Sequence, residues 1–371
     1  RTSIRRDLVV AVALTLAVRL GWAFLAPTVD PFLRRSPLLG DAASYDRLAR
    51  GILSGEDYSM GPSGPSAFWP PLYPAFLALV YSISGHHLGV ARIAQALLGG
   101  IVPAAGYLIA HCALGRRVAR LTAIGLAFYP YLIYFGAWLI AESLFMSLMV
   151  LGLLTLSRVP VGPPWRRVAV AGFLFGLAAL TKPTMLFIMP FLALWLFAAV
   201  DQSQWTRIGL VLLLGVATLV TILPWTVRNY RHFGQVILIS TNGGYTFLGA
   251  NNPGAWGGHD EGFPSLISGL NDAEMEDTYY AEAWGWIRSN PGAFARLLIP
   301  KYRRLFSPLS VASYLEDYDV PGASALYIIY GVFLLAAGCG ALIVWPNWRR
   351  IGLFYAPLAG VILSVGLFYG D

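Results

Sequence analysis

Charge is scarce in this chain. Of 371 residues only 12% are Asp, Glu, Lys or Arg, where soluble globular domains carry about 25%. Cysteine is scarcer still. Cys112 and Cys339 are the only two, both in or at the ends of apolar runs and without CxxC or Cys/His spacing, which excludes a disulfide framework and a cysteine-based zinc site. Histidine offers little more. His86 and His87 are adjacent and cannot form a helical i, i+4 ligand pair, and His259-Asp260-Glu261 is an unspecific nitrogen and oxygen cluster. The sequence therefore calls for no certain cofactor, leaving room only for a divalent cation. Internal repeats, low-complexity tracts and a detached soluble domain are also missing.

What fills the chain is apolar. Hydrophobic residues make up 57% and the mean hydropathy is +0.62. Apolar runs fall near residues 8–27, 72–84, 92–113, 119–138, 143–156, 168–181, 184–200, 208–227, 322–345 and 351–369. A helix needs about 20 such residues to cross a bilayer, so the pattern predicts an all-α polytopic membrane protein. The net charge of +7 sits in short clusters between apolar runs, which is how orientation signals are arranged and leaves no role for nucleic acid.

One run is too short to span. "PPLYPAFLALVYSISG" is closed by Pro70-Pro71 on one side and Gly85-His86-His87 on the other, a length that suits an interfacial helix. If it does not cross, "RTSIRR", "GRRVAR", "SRVPVGPPWRR", "WTR" and "PNWRR" share one face, which by the positive-inside rule is the cytoplasm. The first loop 28–91, the junction 138–142, the turn at Thr181-Lys182-Pro183 and the long loop 228–321 then emerge on the other side. Nucleotide-activated donors are lacking there, so an enzyme on that face needs a donor that is itself lipid-borne.

The long loop divides in two. "NGGYTFLGANNPGAWGGHDEG", residues 242–262, reads as irregular chain. Helices lying at headgroup level follow, opened by Asn271 or Asp272 as a cap and carrying Arg288, Arg296, Lys301, Arg303 and Arg304.

The groups able to carry chemistry lie on the non-cytoplasmic face. Asp41, in "LLGDAASYDRLARGI", begins a helix as its expected N-cap, with Tyr45, Arg47 and Arg50 in support; a carboxylate at the membrane surface can take a proton from an acceptor. Glu142 lies between two close apolar runs, where an ionisable group is costly and faces a cavity or a partner, binding an acceptor amine or a metal or pairing with a lysine. Lys182, in "ALTKPTMLF", runs against the positive-inside bias and is suited either to snorkelling or to holding a phosphate. Arg228 and Arg231 are further phosphate candidates, as is Arg19 within the first span, and Asn251 and His259 are supporting ones.

These stretches are recognisable together. The acidic helix after the first span, "FWPPLYPAFLALVYSISG", "RRVARLTAIGLAFYPYLIYFGAWLIAESLF" and "LTKPTMLFIMPFL" resemble the GT-C superfamily of polyprenyl-phosphate-dependent glycosyltransferases. The likeness is to the dolichyl-phosphate-mannose protein mannosyltransferases and their bacterial relatives, such as the aminoarabinose transferase acting on lipid A. "VRNYRHFGQVILISTNGGYTFLGANNPGAWGG" and "LFYGD" resemble the bacterial branch, though a single "GD" stands where eukaryotic members show paired acidic residues.

The resemblance implies a GT-C-like bundle of about nine transmembrane helices with external juxtamembrane helices, forming a single domain over 1–371 in a bacterial inner membrane. It implies a polyprenyl-phosphate-linked sugar donor, a lipid, glycan or protein acceptor, and an active site on the periplasmic or extracellular face. Asp41 matches the family's catalytic aspartate, Glu142 its second acidic residue and Lys182 its donor-phosphate residue, giving one inverting displacement. The end at "VGLFYGD" leads to the expectation of a longer protein. The rivals are a glycopolymer polymerase or ligase with a lipid-diphosphate donor, a lipid-linked sugar flippase or transporter, and a non-catalytic scaffold; a transporter would be expected to show repeats and midplane charges.

Overall fold

The computed structural model describes residues 2–38, 40–61, 64–159, 164–258, 269–307, 323–344, 346 and 348–368. Among them every regular element is a helix, and the β geometry is limited to an isolated bridge between Ser59 and Pro65. The protein is an all-α polytopic membrane protein. By length and composition Ser3–Val29, Leu88–Leu114 and Gln204–Phe233 can each cross a bilayer, and Leu72–Ser84, Glu142–Ser157, Met185–Ala199, Ile328–Val344 and Ile351–Leu367 are shorter apolar helices. The chain packs as two compact units, Arg1–Pro65 with Pro70–Trp225, and Ser66–Trp69 with Thr226–Asp371.

In the first unit α1 (Thr2–Val29) ends at Asp30, whose Oδ1 accepts the N–H groups of Phe32 and Leu33 and caps the short α2 (Pro31–Arg35). After it comes α3 (Asp41–Ser54), which buries Ala42, Tyr45, Leu48 and Ala49 and stops at Gly55, held at φ 72°. The run 72–84 is the expected short helix, α4 (Leu72–Ser84). Helices α5 (Leu88–Gly99) and α6 (Ile101–Leu114) continue through Gly100 as one span.

The run 119–138 is not one span. It breaks into α7 (Arg116–Ala127) and α8 (Pro130–Tyr134), because Pro130 has no N–H to give and holds Tyr129 extended. The chain then turns through 135–141 into α9 (Glu142–Ser157), which packs on α10 (Pro164–Ala179). Glycine decides the next contact. A Cβ on Gly172 would meet the Leu214 carbonyl at 2.7 Å and one on Gly176 the Thr218 carbonyl at 2.9 Å, so this GxxxG stripe lets α10 lie backbone to backbone on α12 (Gln204–Phe233). In chain order α11 (Met185–Ala199) comes between these two helices.

The second unit contains the end of α12 from Thr226, then α13 (Asn242–Ala250), α14 (Asp272–Ser289), α15 (Pro291–Leu305), α16 (Ala323–Val344) and α17 (Trp348–Leu367). The expectation of irregular chain from 242 onward fails at α13. Its glycines serve close approach: a Cβ on Gly244 would lie 2.6 Å from the Glu276 carbonyl, and one on Gly243 2.5 Å from the Tyr280 hydroxyl. Phe247 and Leu248 of α13 thereby join Met275, Tyr279, Ala283 and Ile287 of α14 in one core. Asn271 is the cap of α14, in a capping box with Glu274.

The second unit also grips a peptide from the first loop. Asp272 Oδ2 accepts from Ser66 Oγ at 2.6 Å, Ala67 N at 2.8 Å and Phe68 N at 3.0 Å. Thr241 N donates to Ala67 O, and Arg228 Nη1 donates to Ser66 O at 2.7 Å.

Candidate active site

Asp41 is the first residue of α3, and the cap position belongs to Gly40, at φ 53° and without a side chain to bond the helix. Capping is thus not what Asp41 does, and its exposed side chain stands at the helix N-terminus, where a negative charge is favoured. The second aspartate of the helix has the opposite role. Asp46 is buried and accepts hydrogen bonds from Tyr81 at 2.9 Å and Arg50 Nε at 2.9 Å, with His86 Nε2 at 2.7 Å. It clasps α3 to α4, so Arg50 is a structural partner of Asp46, while Arg47 lies on the exposed face.

Glu142 opens α9 and Lys182 stands in the turn after α10; the lysine Nζ donates to Glu142 Oε1 at 2.5 Å. Their side chains remain 42% and 38% exposed, and a pair this open contributes only about 0.2–1 kcal/mol to stability. Both charges stay within reach of a ligand. Burial would pull the Lys182 ammonium below the usual lysine value, but the carboxylates of Glu142 and then Asp41 outweigh it and raise it. Tyr45 reports the same convergence: its phenol is held well above the ordinary value by burial first, and then by Asp41, Glu142 and Tyr58.

Buried polar side chains fix this geometry. Tyr45 meets Tyr73 edge to face at 5.0 Å, and Tyr73 donates to Gln95 Oε1 at 2.6 Å. Gln95 Nε2 donates to the carbonyls of Gly136 and Trp138, while Arg92 Nε donates to Ala137 O at 3.0 Å. Residues 136–138, which lead into Glu142, are thus bolted to α5. On the other side Leu72 N donates to Leu180 O at 3.1 Å, tying the start of α4 to the lysine turn. A polar Gln and Arg one turn apart inside an apolar run was the signal that could have found this latch.

The remaining candidates are placed elsewhere. Arg228, Arg231 and Asn251 belong to the second unit. Arg228 holds Ser66, Arg231 is exposed, and Asn251 is buried, donating to Phe247 O and Leu367 O. Lys301, expected at headgroup level, is instead fully buried and donates to Asn251 Oδ1 at 2.9 Å. Arg304 lies over the Trp256 ring at 4.3 Å. Arg19 is buried within α1, packed where a Cβ on Gly99 would be. His259 and the terminal Gly370-Asp371 lie outside the described residues. Among the described residues no three His, Cys, Asp or Glu side chains cluster as a metal site.

The site can therefore offer one exposed carboxylate, one ion pair open to solvent and two buried phenols. Residues 69–227, which include Tyr73, Glu142 and Lys182, match the family model described as dolichyl-phosphate-mannose-protein mannosyltransferase. No curated protein and no solved structure matches the chain. Set on an all-α polytopic architecture, this family match supports a membrane glycosyltransferase of the GT-C type.

Proposed function

We propose that the chain, acting as one glycosyltransferase domain, moves a sugar from a polyprenyl monophosphate to a lipid, glycan or protein acceptor. The reaction is placed on the non-cytoplasmic face of a bacterial inner membrane. The observation that supports this reading is the convergence of the Asp41 and Glu142 carboxylates on both Tyr45 and Lys182, with the Lys182 ammonium bonded to Glu142 Oε1 at 2.5 Å. The basic clusters at the opposite ends of the spans support the sidedness.

Asp41 orients and deprotonates the acceptor nucleophile, which attacks the anomeric carbon from the side opposite the phosphate. The bond to the phosphate oxygen breaks, the electron pair leaves with the lipid phosphate, and configuration inverts. Lys182 offsets the charge that develops on that phosphate. Glu142 takes one of the three donors of the ammonium, and a phosphate oxygen takes another.

The test is transfer by purified protein offered a panel of polyprenyl-phosphate sugars, with products identified by mass spectrometry. Asp41→Asn is expected to lower turnover by about 10²- to 10⁴-fold with an unchanged melting temperature. Full transfer by that variant would overturn the assignment.

A further inference from the structure

At the basic end of α1 a cavity of about 740 Å³ opens between α1, α6 and α7, within the 300–1,000 Å³ range of ligand sites. It lies far along α1 from the Asp30 end, and the reaction above makes no use of it. Its two halves differ in chemistry. One presents Arg6, Arg116 and Arg120 against the single carboxylate of Asp7. The other presents Val10, Leu14 and Ile124, which are 50%, 38% and 49% exposed.

The polar half is built rather than incidental. Arg116 and Arg120 each give Nε and Nη2 to Asp7, at 2.7 to 3.1 Å, and Tyr107 adds its hydroxyl at 2.9 Å. The guanidinium groups are fixed by these bonds, yet neither Nη1 has a hydrogen-bond partner among the described residues, and Arg6 is exposed with no ion pair there. Small residues set the floor: Ala11, Ala110, Ala119 and Ala123 pack around Tyr107 and draw the three helices together. Three arginines beside a single aspartate, two of them bonded to it, leave an excess of positive charge, so the occupant is an anion. A free anion has no use for the apolar wall, and an acyl chain none for the arginines.

We propose that this groove binds an anionic phospholipid, its phosphate on Arg6, Arg116 and Arg120 and its acyl chains along Val10, Leu14 and Ile124. The site is separate from the sugar-transfer site, and neither reading depends on the other. Basic recesses between spans hold acidic headgroups in this way, each arginine adding about 1 kcal/mol, which is about fivefold in affinity.

The experiment is native mass spectrometry of the purified full chain in detergent with phosphatidylglycerol, phosphatidylcholine or inorganic phosphate. Phosphatidylglycerol is expected to stay bound where phosphatidylcholine does not, and millimolar phosphate is expected not to displace it. Arg6→Gln, which leaves the Asp7 ties intact, is expected to bind it about fivefold more weakly with an unchanged melting temperature. Equal retention of both lipids or unaltered binding by Arg6→Gln would overturn the proposal. Displacement by phosphate would do the same, reducing the groove to a simple anion site.

Discussion

At the scale of single residues, Glu142 and Lys182 are joined by more than attraction. The carboxylate sets the protonation of the lysine against a burial penalty that acts the other way. Removing that carboxylate lowers the pH at which the ammonium is lost. Glu142→Gln is therefore expected to shift the alkaline limb of the pH–rate profile to lower pH, whereas Lys182→Gln is expected to reduce turnover by about 10²- to 10³-fold below that limb and to abolish the limb itself. An unmoved limb in the first variant would make Glu142 a bystander.

Glu276 gives a second residue-level outcome, in stability. Burial, the neighbouring Asp277 and, less strongly, Asp272 raise its carboxyl from 4.5 to about 7, although the Gly244 N–H acts to lower it. The folded state thus prefers the protonated form. Its contribution is complete below pH 4.5 and is lost as pH rises to about 7. Melting temperature should fall across that window, and Glu276→Gln should flatten the slope and melt higher at pH 8; an unaltered slope would count against the burial argument.

At the scale of elements, glycine position matters more than glycine content. Gly172 and Gly176 admit the backbone of α12, and Gly243 and Gly244 admit α14. Only the spacing of the first pair could be read as a contact, because a glycine-rich stretch looks the same whether it turns in water or presses on a neighbour. Gly176→Leu has no flexible side chain alone to displace, since it meets the Thr218 carbonyl as well as Thr221. It is expected to cost about 1–3 kcal/mol or more, seen as a lower melting temperature in detergent, while Gly331→Leu, with nothing within 4 Å, should be neutral.

At the scale of the whole molecule, sidedness is the strongest claim that labelling can check. Ala43 is exposed on α3, and Cys112 is exposed near the basic end of α6. In cells carrying a Cys339→Ser background, an impermeant thiol reagent should label Ala43→Cys from outside and reach Cys112 only after permeabilisation. The reverse pattern would invert the topology and the proposed donor with it.

The all-helical architecture was legible because apolar runs and helix-period patterns are local. The short α4 was legible from its flanking Pro70-Pro71 and Gly85, and the start of α14 to within one residue, Asn271 or Asp272, of which the structure makes Asn271 the cap. Asp41 and Glu142 stood out as carboxylates beside a membrane. What the sequence concealed was pairwise: Gln95 on the chain before Glu142, Asp46 under Tyr81 and His86, Lys301 inside rather than at a surface. Such partners lie 35 to 50 residues apart, and nothing in either segment alone names the other.

The grip of Asp272 on Ser66 joins residues 206 apart in the chain. At a synthesis rate of about 5–20 residues per second, roughly 10–40 s pass between their emergence from the ribosome. For that interval the peptide Ser66–Trp69 has no Asp272 to bind, although the α4 that follows it is already made. Assembly of this protein is therefore ordered in time. The peptide Ser66–Trp69 is translated before Asp272 and takes its bound shape only after it.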